Sequence, residues 1–245
     1  MKKEDSISPL TAVLVIILTV VLTFAISIVI GMAIYLAFFI FKFQLSTKVM
    51  TVIEALMTVI GELMFLLVPL AYMLYRRINV KSYIKLGEAK LKGLLLGIGL
   101  GLGSWVMGLF VSLALTYILG PSQAVEEANE TVIALATQST TSLALLTLAL
   151  SLAGICEEFA FRGFLQNALE SRYSSSIAII GASLAFGLFH FDPQAIYIIV
   201  SFVNGLVWGY AYSRLKSYVA VASAHMVFNL TSLALIILLI RMGLV

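Results

Sequence analysis

Seven long apolar segments divide the chain and restrict what it can fold into. They lie at residues 10–41, 50–75, 93–119, 142–161, 177–191, 193–213 and 217–240. A helix needs roughly 20 apolar residues to cross the hydrocarbon core of a bilayer, and only helices and closed barrels satisfy their backbone polar groups there. The sequence therefore predicts an all-α fold, a polytopic membrane helical bundle of about seven to eight transmembrane helices.

The charge content excludes a soluble protein. Hydrophobic residues make up 62% of the chain and charged residues only 11%, whereas soluble domains carry about 25% charged residues. So little charge cannot cover a folded surface in water, and the apolar segments leave no room for a soluble domain. We therefore expect residues 1–245 to form a single integral membrane domain.

The position of the basic residues predicts the orientation of this domain. The stretch between the second and third apolar segments carries Arg76, Arg77, Lys81, Lys85, Lys90 and Lys92. The loop at 120–141 has three glutamates and no basic residue. Because cytoplasmic loops are enriched in Lys and Arg, we expect the basic stretch and the N-terminus, with Lys2 and Lys3, to be cytoplasmic and the acidic loop external. The basic residues flank spans and form no stripe, so nucleic acid is not an expected partner.

Three short polar clusters interrupt the apolar segments of the second half. They read Glu157-Glu158-Phe-Ala-Phe-Arg162, Phe186-Gly-Leu-Phe-His190 and His225-Met-Val-Phe-Asn229. The chain has two histidines, and both belong to these clusters. An ionisable side chain in a span costs roughly 2.5–3.5 kcal/mol on insertion scales and marks a functional site by default. We therefore expect the functional residues to lie in these clusters.

The spacing within the clusters suggests a division of roles. Glu158 and Arg162 are four residues apart, so they share one helix face and are expected to form a buried ion pair. Glu157 points about 100° away around the helix, which leaves it free for general acid–base work in a cavity. A neutral His190 beside Glu157 would orient or deprotonate a water. His225 and Asn229, one turn apart, would hydrogen-bond an oxyanion.

This set suits hydrolysis of a peptide bond without a Ser or Cys nucleophile. The same residues also match a zinc site in which Glu157, His190 and His225 are the protein ligands and water is the fourth. No cofactor is fixed by the sequence, and zinc is the one candidate. Each cluster alone has an ordinary structural explanation, such as a Glu that bonds a neighbouring helix. The three clusters together favour a catalytic site.

Three further polar residues lie outside the clusters. Glu62 and Asp192 each have two possible roles, and Asn204 has a structural one. Glu62 lies deep in the second apolar segment, where it would line a substrate cavity or, as we favour, bind a polar group of a neighbouring span. Asp192 would orient His190 or, more simply, end a helix before Pro193. Asn204 is expected to hydrogen-bond another helix.

The three clusters, in this order, resemble the motifs of the CPBP (Abi) family of intramembrane proteases, which includes type II CAAX prenyl endopeptidases and bacteriocin-processing or immunity proteins. The resemblance covers residues 142–240. It implies an all-helical fold whose active-site cavity faces the cytoplasm. It also implies that Glu157 activates water with His190, that His225 and Asn229 stabilise the oxyanion, and that Glu158 and Arg162 support the site. The family has been interpreted both as metalloproteases and as glutamate-dependent hydrolases.

The sequence thus predicts a multi-pass intramembrane endopeptidase of the cell membrane. Residues 1–141 would form N-terminal spans and the external loop, and 142–240 the catalytic core helices. The candidate catalytic residues are Glu157, Glu158, His190, His225 and Asn229, supported by Arg162. The expected partners are the lipid bilayer and a peptide or lipidated protein, either a prenylated CAAX-type substrate or an ordinary one. The alternatives are a non-catalytic binding or immunity protein, and a small transporter with a Glu/His proton relay, which the absence of repeat symmetry disfavours.

Overall fold

The computed structural model describes residues 7–42, 45–86 and 90–244, so the predicted cytoplasmic Lys2 and Lys3 lie outside the described residues. Within these ranges the chain is helical and contains no strand. The elements are α1 Pro9–Phe41, α2 Thr47–Tyr75, α3 Val80–Tyr83, α4 Lys90–Leu119, α5 Gln123–Gln138, α6 Thr140–Glu158, a π-helix at Phe159–Gln166, α7 Asn167–Glu170, α8 Ser175–Phe189, α9 Ile196–Leu215 and α10 Tyr218–Arg241. The predicted all-α class is confirmed.

Six stretches of described helix are long and apolar enough to cross a membrane. They are Pro9–Phe41, Thr47–Tyr75, Leu91–Leu119, Thr140–Glu170, Ile196–Leu215 and Tyr218–Arg241. The remaining predicted segment forms α8, which has only 15 residues and is therefore about 22 Å long. The polytopic helical bundle is confirmed. The predicted external loop, however, is mostly the helix α5, because Ser122 caps its first turn and Leu135 anchors it by burial.

Serine residues set the beginning of most helices. Each accepts a hydrogen bond from a backbone N–H in the first turn, which satisfies a donor that has no partner within the helix. The serines in this position are Ser8, Ser46, Ser122, Ser139, Ser174 and Ser217. The helix boundaries are thus encoded locally, although the apolar pattern alone gives them only approximately.

Glycines allow α10 to pack directly against the backbones of α4 and α6. A Cβ placed on Gly97 of α4 would lie 2.5 Å from the carbonyl oxygen of Ala220. A Cβ on Gly154 of α6 would lie 2.5 Å from the backbone nitrogen of Met226. Small residues permit such close approach of membrane helices. This packing holds His225 of α10 against the end of α6.

We expect Gly97→Ala to destabilise the protein by about 1–3 kcal/mol, because the added methyl group must push α10 away from α4. The measurement is the thermal unfolding midpoint of the detergent-solubilised protein. Gly99→Ala is the matched control, since a Cβ at Gly99 meets no atom within 4 Å. Equal midpoints for the two variants would show that the close contact is not needed for stability.

The two ends of the bundle differ in charge. At one end the backbone N–H of Tyr218 donates to the carbonyl of Lys85, and the Lys85 ammonium pairs with Glu170 at 3.1 Å. At the other end the Ser122 hydroxyl donates to Asp192 at 2.7 Å, beside the start of α5. The basic stretch after α2 and the acidic helix α5 therefore lie at opposite ends of the bundle.

Candidate active site

The end of α6, the end of α8 and the first half of α10 meet in the interior of the bundle. Glu157 and Glu158 close α6, His190 is the residue that ends α8, and His225 lies in the second turn of α10. Glu157 is 3% exposed, His225 4%, and Glu158 and Arg162 are fully buried. The three predicted clusters are thus brought together from separate helices.

Glu158 is the common partner of Arg162 and His225. Nη1 of Arg162 lies 2.9 Å from Oε1 of Glu158, as the four-residue spacing predicted. Nδ1 of His225 lies 3.2 Å from the same oxygen and donates its proton to it. Two positively polarised groups therefore converge on one carboxylate oxygen, which compensates part of the cost of its burial and fixes the imidazole ring of His225.

Arg162 lies inside the π-helix, which the sequence did not predict. Its guanidinium carbon is 4.4 Å from the ring centroid of Phe186 and 5.7 Å from that of Trp208. Aromatic faces attract a cation of this kind at such distances. π-Helical turns are rare, and those that occur are often at functional sites. The π-helix therefore marks this segment as a candidate site, and the 3.6-residue periodicity of the sequence does not predict it.

Glu157 and His190 face each other across the site. Nδ1 of His190 is bonded to the carbonyl of Phe186 at 2.9 Å, so this nitrogen carries a proton and the neutral ring presents the lone pair of Nε2. That nitrogen lies 4.0 Å from Oε2 of Glu157. The distance is too long for a direct hydrogen bond and short enough for both groups to contact one water molecule.

A cavity of about 570 Å³ contains this pair. Glu62, Glu157, His190, His225 and Asn229 all line it. It continues along α4, α9 and the second half of α10 and reaches α5 at Val125, Asn129 and Val132. The cavity therefore extends from the buried carboxylates towards the acidic end of the bundle, away from the basic stretch.

Asn229 and Asp192 have structural partners. The Asn229 side chain donates one N–H to the carbonyl of Leu150 at 3.2 Å, and the residue lines the cavity. Asp192 accepts from Ser122 and from the backbone N–H groups of Gln194 and Tyr197. Burial alone would raise the pKa of Asp192, yet these hydrogen bonds hold it below its usual range. Asp192 thus shapes the turn before α9.

The described residues do not fit a metal site. No group of three or more His, Cys, Asp or Glu side chains in that part of the chain is arranged to hold a metal ion. The predicted zinc ligands Glu157, His190 and His225 are therefore not gathered into a coordination sphere.

Three residues that matter here were missed or assigned differently from the sequence. The Trp208 ring stacks on His225, with centroids 4.4 Å apart, and its Nε1 donates to Ser104; no motif marked this residue. Glu62 lines the cavity together with Glu157, and its Oε2 is buried without a hydrogen-bond partner among the described residues. Asn204 does not form the predicted bond to another helix, because its Oδ1 is buried without a partner among the described residues.

Comparison with known families agrees with this geometry. Residues 139–231 match the family described as type II CAAX prenyl endopeptidase Rce1-like. The matched segment is Rce1-like. The Rce1-like segment contains all three polar clusters and confirms the predicted resemblance to the CPBP family, and it supports a protease. No curated protein and no solved structure gives a significant match to the chain.

Proposed function

We propose that this chain is an intramembrane endopeptidase that hydrolyses peptide bonds of membrane-associated substrates with a water activated by Glu157 and His190. The observation that carries the proposal is the facing pair of Glu157 and His190, 4.0 Å apart at the wall of a cavity inside the bundle. The Rce1-like segment supports the same reaction class. A prenylated CAAX-type peptide is the first substrate to consider.

In the proposed mechanism Glu157 is the general base. Its carboxylate takes a proton from a water that His190 orients through Nε2, and the oxygen attacks the scissile carbonyl carbon. A base in hydrogen-bond reach of the nucleophile typically contributes 10²–10⁴-fold. The protonated Glu157 then delivers this proton to the leaving amine, which restores the carboxylate.

His225 and Asn229 would stabilise the negative charge that develops on the carbonyl oxygen. The second side-chain N–H of Asn229 is one donor. Glu158 holds the proton on Nδ1 of His225, so His225 supplies the second donor through its other ring nitrogen when the ring carries both protons, a charged form that the neighbouring carboxylate stabilises. Preorganised donors of this kind are often the largest single contribution to catalysis. Arg162 acts through Glu158 and keeps the His225 ring in place.

The sequence-based predictions of a cytoplasmic N-terminus and of a cavity that faces the cytoplasm do not agree with each other in this bundle. The basic stretch after α2 favours a cytoplasmic location for that end of the bundle, and the N-terminus of α1 would share it. The cavity, however, reaches the opposite end at α5. On the charge argument we propose that the N-terminus is cytoplasmic and that the cavity faces away from the cytoplasm, against the expectation from the family resemblance.

Thiol labelling of intact cells checks this orientation. The buried Cys156 is first replaced by Ser, and single cysteines are then introduced at Asn129 in α5 and at Ser82 in the basic stretch, both exposed. A membrane-impermeant maleimide is expected to label Asn129→Cys in intact cells and Ser82→Cys only after permeabilisation. The reverse pattern would place the cavity on the cytoplasmic side.

The proposed activity is tested with quenched fluorescent peptides, prenylated and unprenylated, incubated with the detergent-purified protein with and without a strong zinc chelator. We expect cleavage that the chelator leaves unchanged. Loss of cleavage with the chelator and recovery with zinc would show a metalloprotease. Tight binding without any cleavage would favour the non-catalytic binding or immunity protein.

A further inference from the structure

Asn204 lies at the wall of the cavity, and its side-chain oxygen has no hydrogen-bond partner among the described residues. Asn204 is only 2% exposed, it lines the same cavity as Glu157 and His225, and its Oδ1 is buried with no partner among the described residues. More than nine-tenths of buried polar groups in proteins have a partner. An unpaired amide at this place therefore requires an explanation.

Asn204 lies at the wall of the cavity, and its Oδ1 is covered there. Asn204 lies one helical turn before Trp208, whose ring stacks on His225. It packs over Gly108 of α4, where a Cβ would lie 3.3 Å from Nδ2 of Asn204. The glycine leaves space beside the amide that a larger side chain would fill. The amide thus lies between the catalytic residues and the part of the cavity that reaches α5.

We propose that Asn204 binds the backbone of the substrate, with its side-chain amide turning so that Oδ1 accepts a hydrogen bond from a peptide N–H on the α5 side of the scissile bond. This inference deepens the proposed endopeptidase function and rests on it. An extended peptide carries an unpaired N–H at every residue except proline, and in the apolar cavity such a donor needs an acceptor. Peptide and Asn204 would therefore satisfy each other, and Asn204 is a positioning residue for the substrate.

The proposal predicts that Asn204→Leu has opposite effects on the stability of the protein and on its cleavage of substrate. If Asn204 has no partner within the protein, Asn204→Leu removes a buried polar group that lacked a hydrogen bond, so the free protein keeps or gains stability. The same substitution leaves a substrate N–H unpaired in the cavity, and kcat/KM should fall at least tenfold. A residue with a structural role would lose stability and activity together.

Asn167→Leu is the matched control. The Asn167 side chain donates to the carbonyls of Tyr83 and Gly163 and to the Tyr212 hydroxyl, so its replacement removes real bonds within the protein. Thermal unfolding in detergent is expected to give a lower midpoint for Asn167→Leu and an unchanged or higher midpoint for Asn204→Leu. A midpoint that falls equally in both variants would overturn the proposal, because Asn204 would then have a partner inside the protein.

Depsipeptides identify the hydrogen bond itself. A series of peptides is made with the sequence of a cleaved substrate. Each member has one backbone ester, at a different position, in place of an amide, which removes one N–H. At one position the ester should lower kcat/KM of the wild type at least tenfold and have little effect on Asn204→Leu. Additive losses at every position would overturn the proposal. If the wild type cleaves no peptide, the proposed function fails, and Asn204 is then judged by the unfolding midpoints and by peptide binding to the two proteins.

Discussion

Replacement of Glu157 by Gln is expected to lower kcat by about 10²–10⁴-fold while substrate binding stays within a few-fold of the wild type. Glutamine keeps the shape of the side chain and one hydrogen-bond acceptor, but it cannot take a proton from water. Glu157 is only 3% exposed and faces His190 at 4.0 Å. No other described carboxylate lies this close to His190, so none can take over the role of Glu157. The measurement is the cleavage rate of a fluorescent peptide at saturating substrate.

Glu126→Gln is the control for this experiment, since Glu126 is exposed on α5 and is not among the residues that line the cavity. It should leave kcat unchanged. Full activity of Glu157→Gln would contradict the assignment of the general base and would direct attention to Glu62, the other carboxylate of the cavity. Loss of binding together with rate would instead indicate that Glu157 organises the cavity.

The largest effect on stability is expected for Arg162→Met. The guanidinium is fully buried and lies 2.9 Å from Glu158, so its removal leaves a buried carboxylate with only His225 as a partner. Loss of one member of a buried ion pair typically costs about 3–5 kcal/mol. We expect a correspondingly lower unfolding midpoint in detergent and a reduced yield of folded protein.

Lys85→Met provides the comparison for Arg162→Met. The Lys85–Glu170 pair has a similar geometry at 3.1 Å, but both side chains are partly exposed, and such pairs contribute about 0–1 kcal/mol. The double variant Arg162→Met/Glu158→Gln should recover part of the lost stability because it also removes the isolated charge. Equal stability of Arg162→Met and wild type would show that the buried pair contributes nothing net.

The fold was largely predictable because its main determinant is local. An apolar stretch of sufficient length forms a helix in a membrane whatever its neighbours are, so the seven segments all correspond to helices. The Glu158–Arg162 contact followed from helical spacing alone. The helix α5 was predicted as loop, since its residues are mixed in polarity and its position depends on contacts with α2, α6 and α10 that no local pattern encodes.

The site was predictable only in part, for a related reason. The ionisable residues were conspicuous against an apolar background, and this is why Glu157, His190 and His225 could be found. Trp208 and Asn204 carry no charge and lie in an apolar helix, so only tertiary packing reveals that Trp208 stacks on His225 and that Asn204 borders the cavity with an unpaired oxygen. The direction in which the cavity extends likewise depends on how the helices are arranged.

The π-helix at Phe159–Gln166 makes this region sensitive to chain length as well as to residue identity. A π-helix holds more residues in each turn than an α-helix, because its backbone hydrogen bonds join residues five positions apart instead of four. Removal of a single residue between Phe159 and Arg162 would rotate Arg162 and the residues after it about the helix axis relative to Glu157 and Glu158, although none of these side chains had changed. Loss of one residue here would therefore break the Arg162–Glu158 pair while both residues remained in the chain.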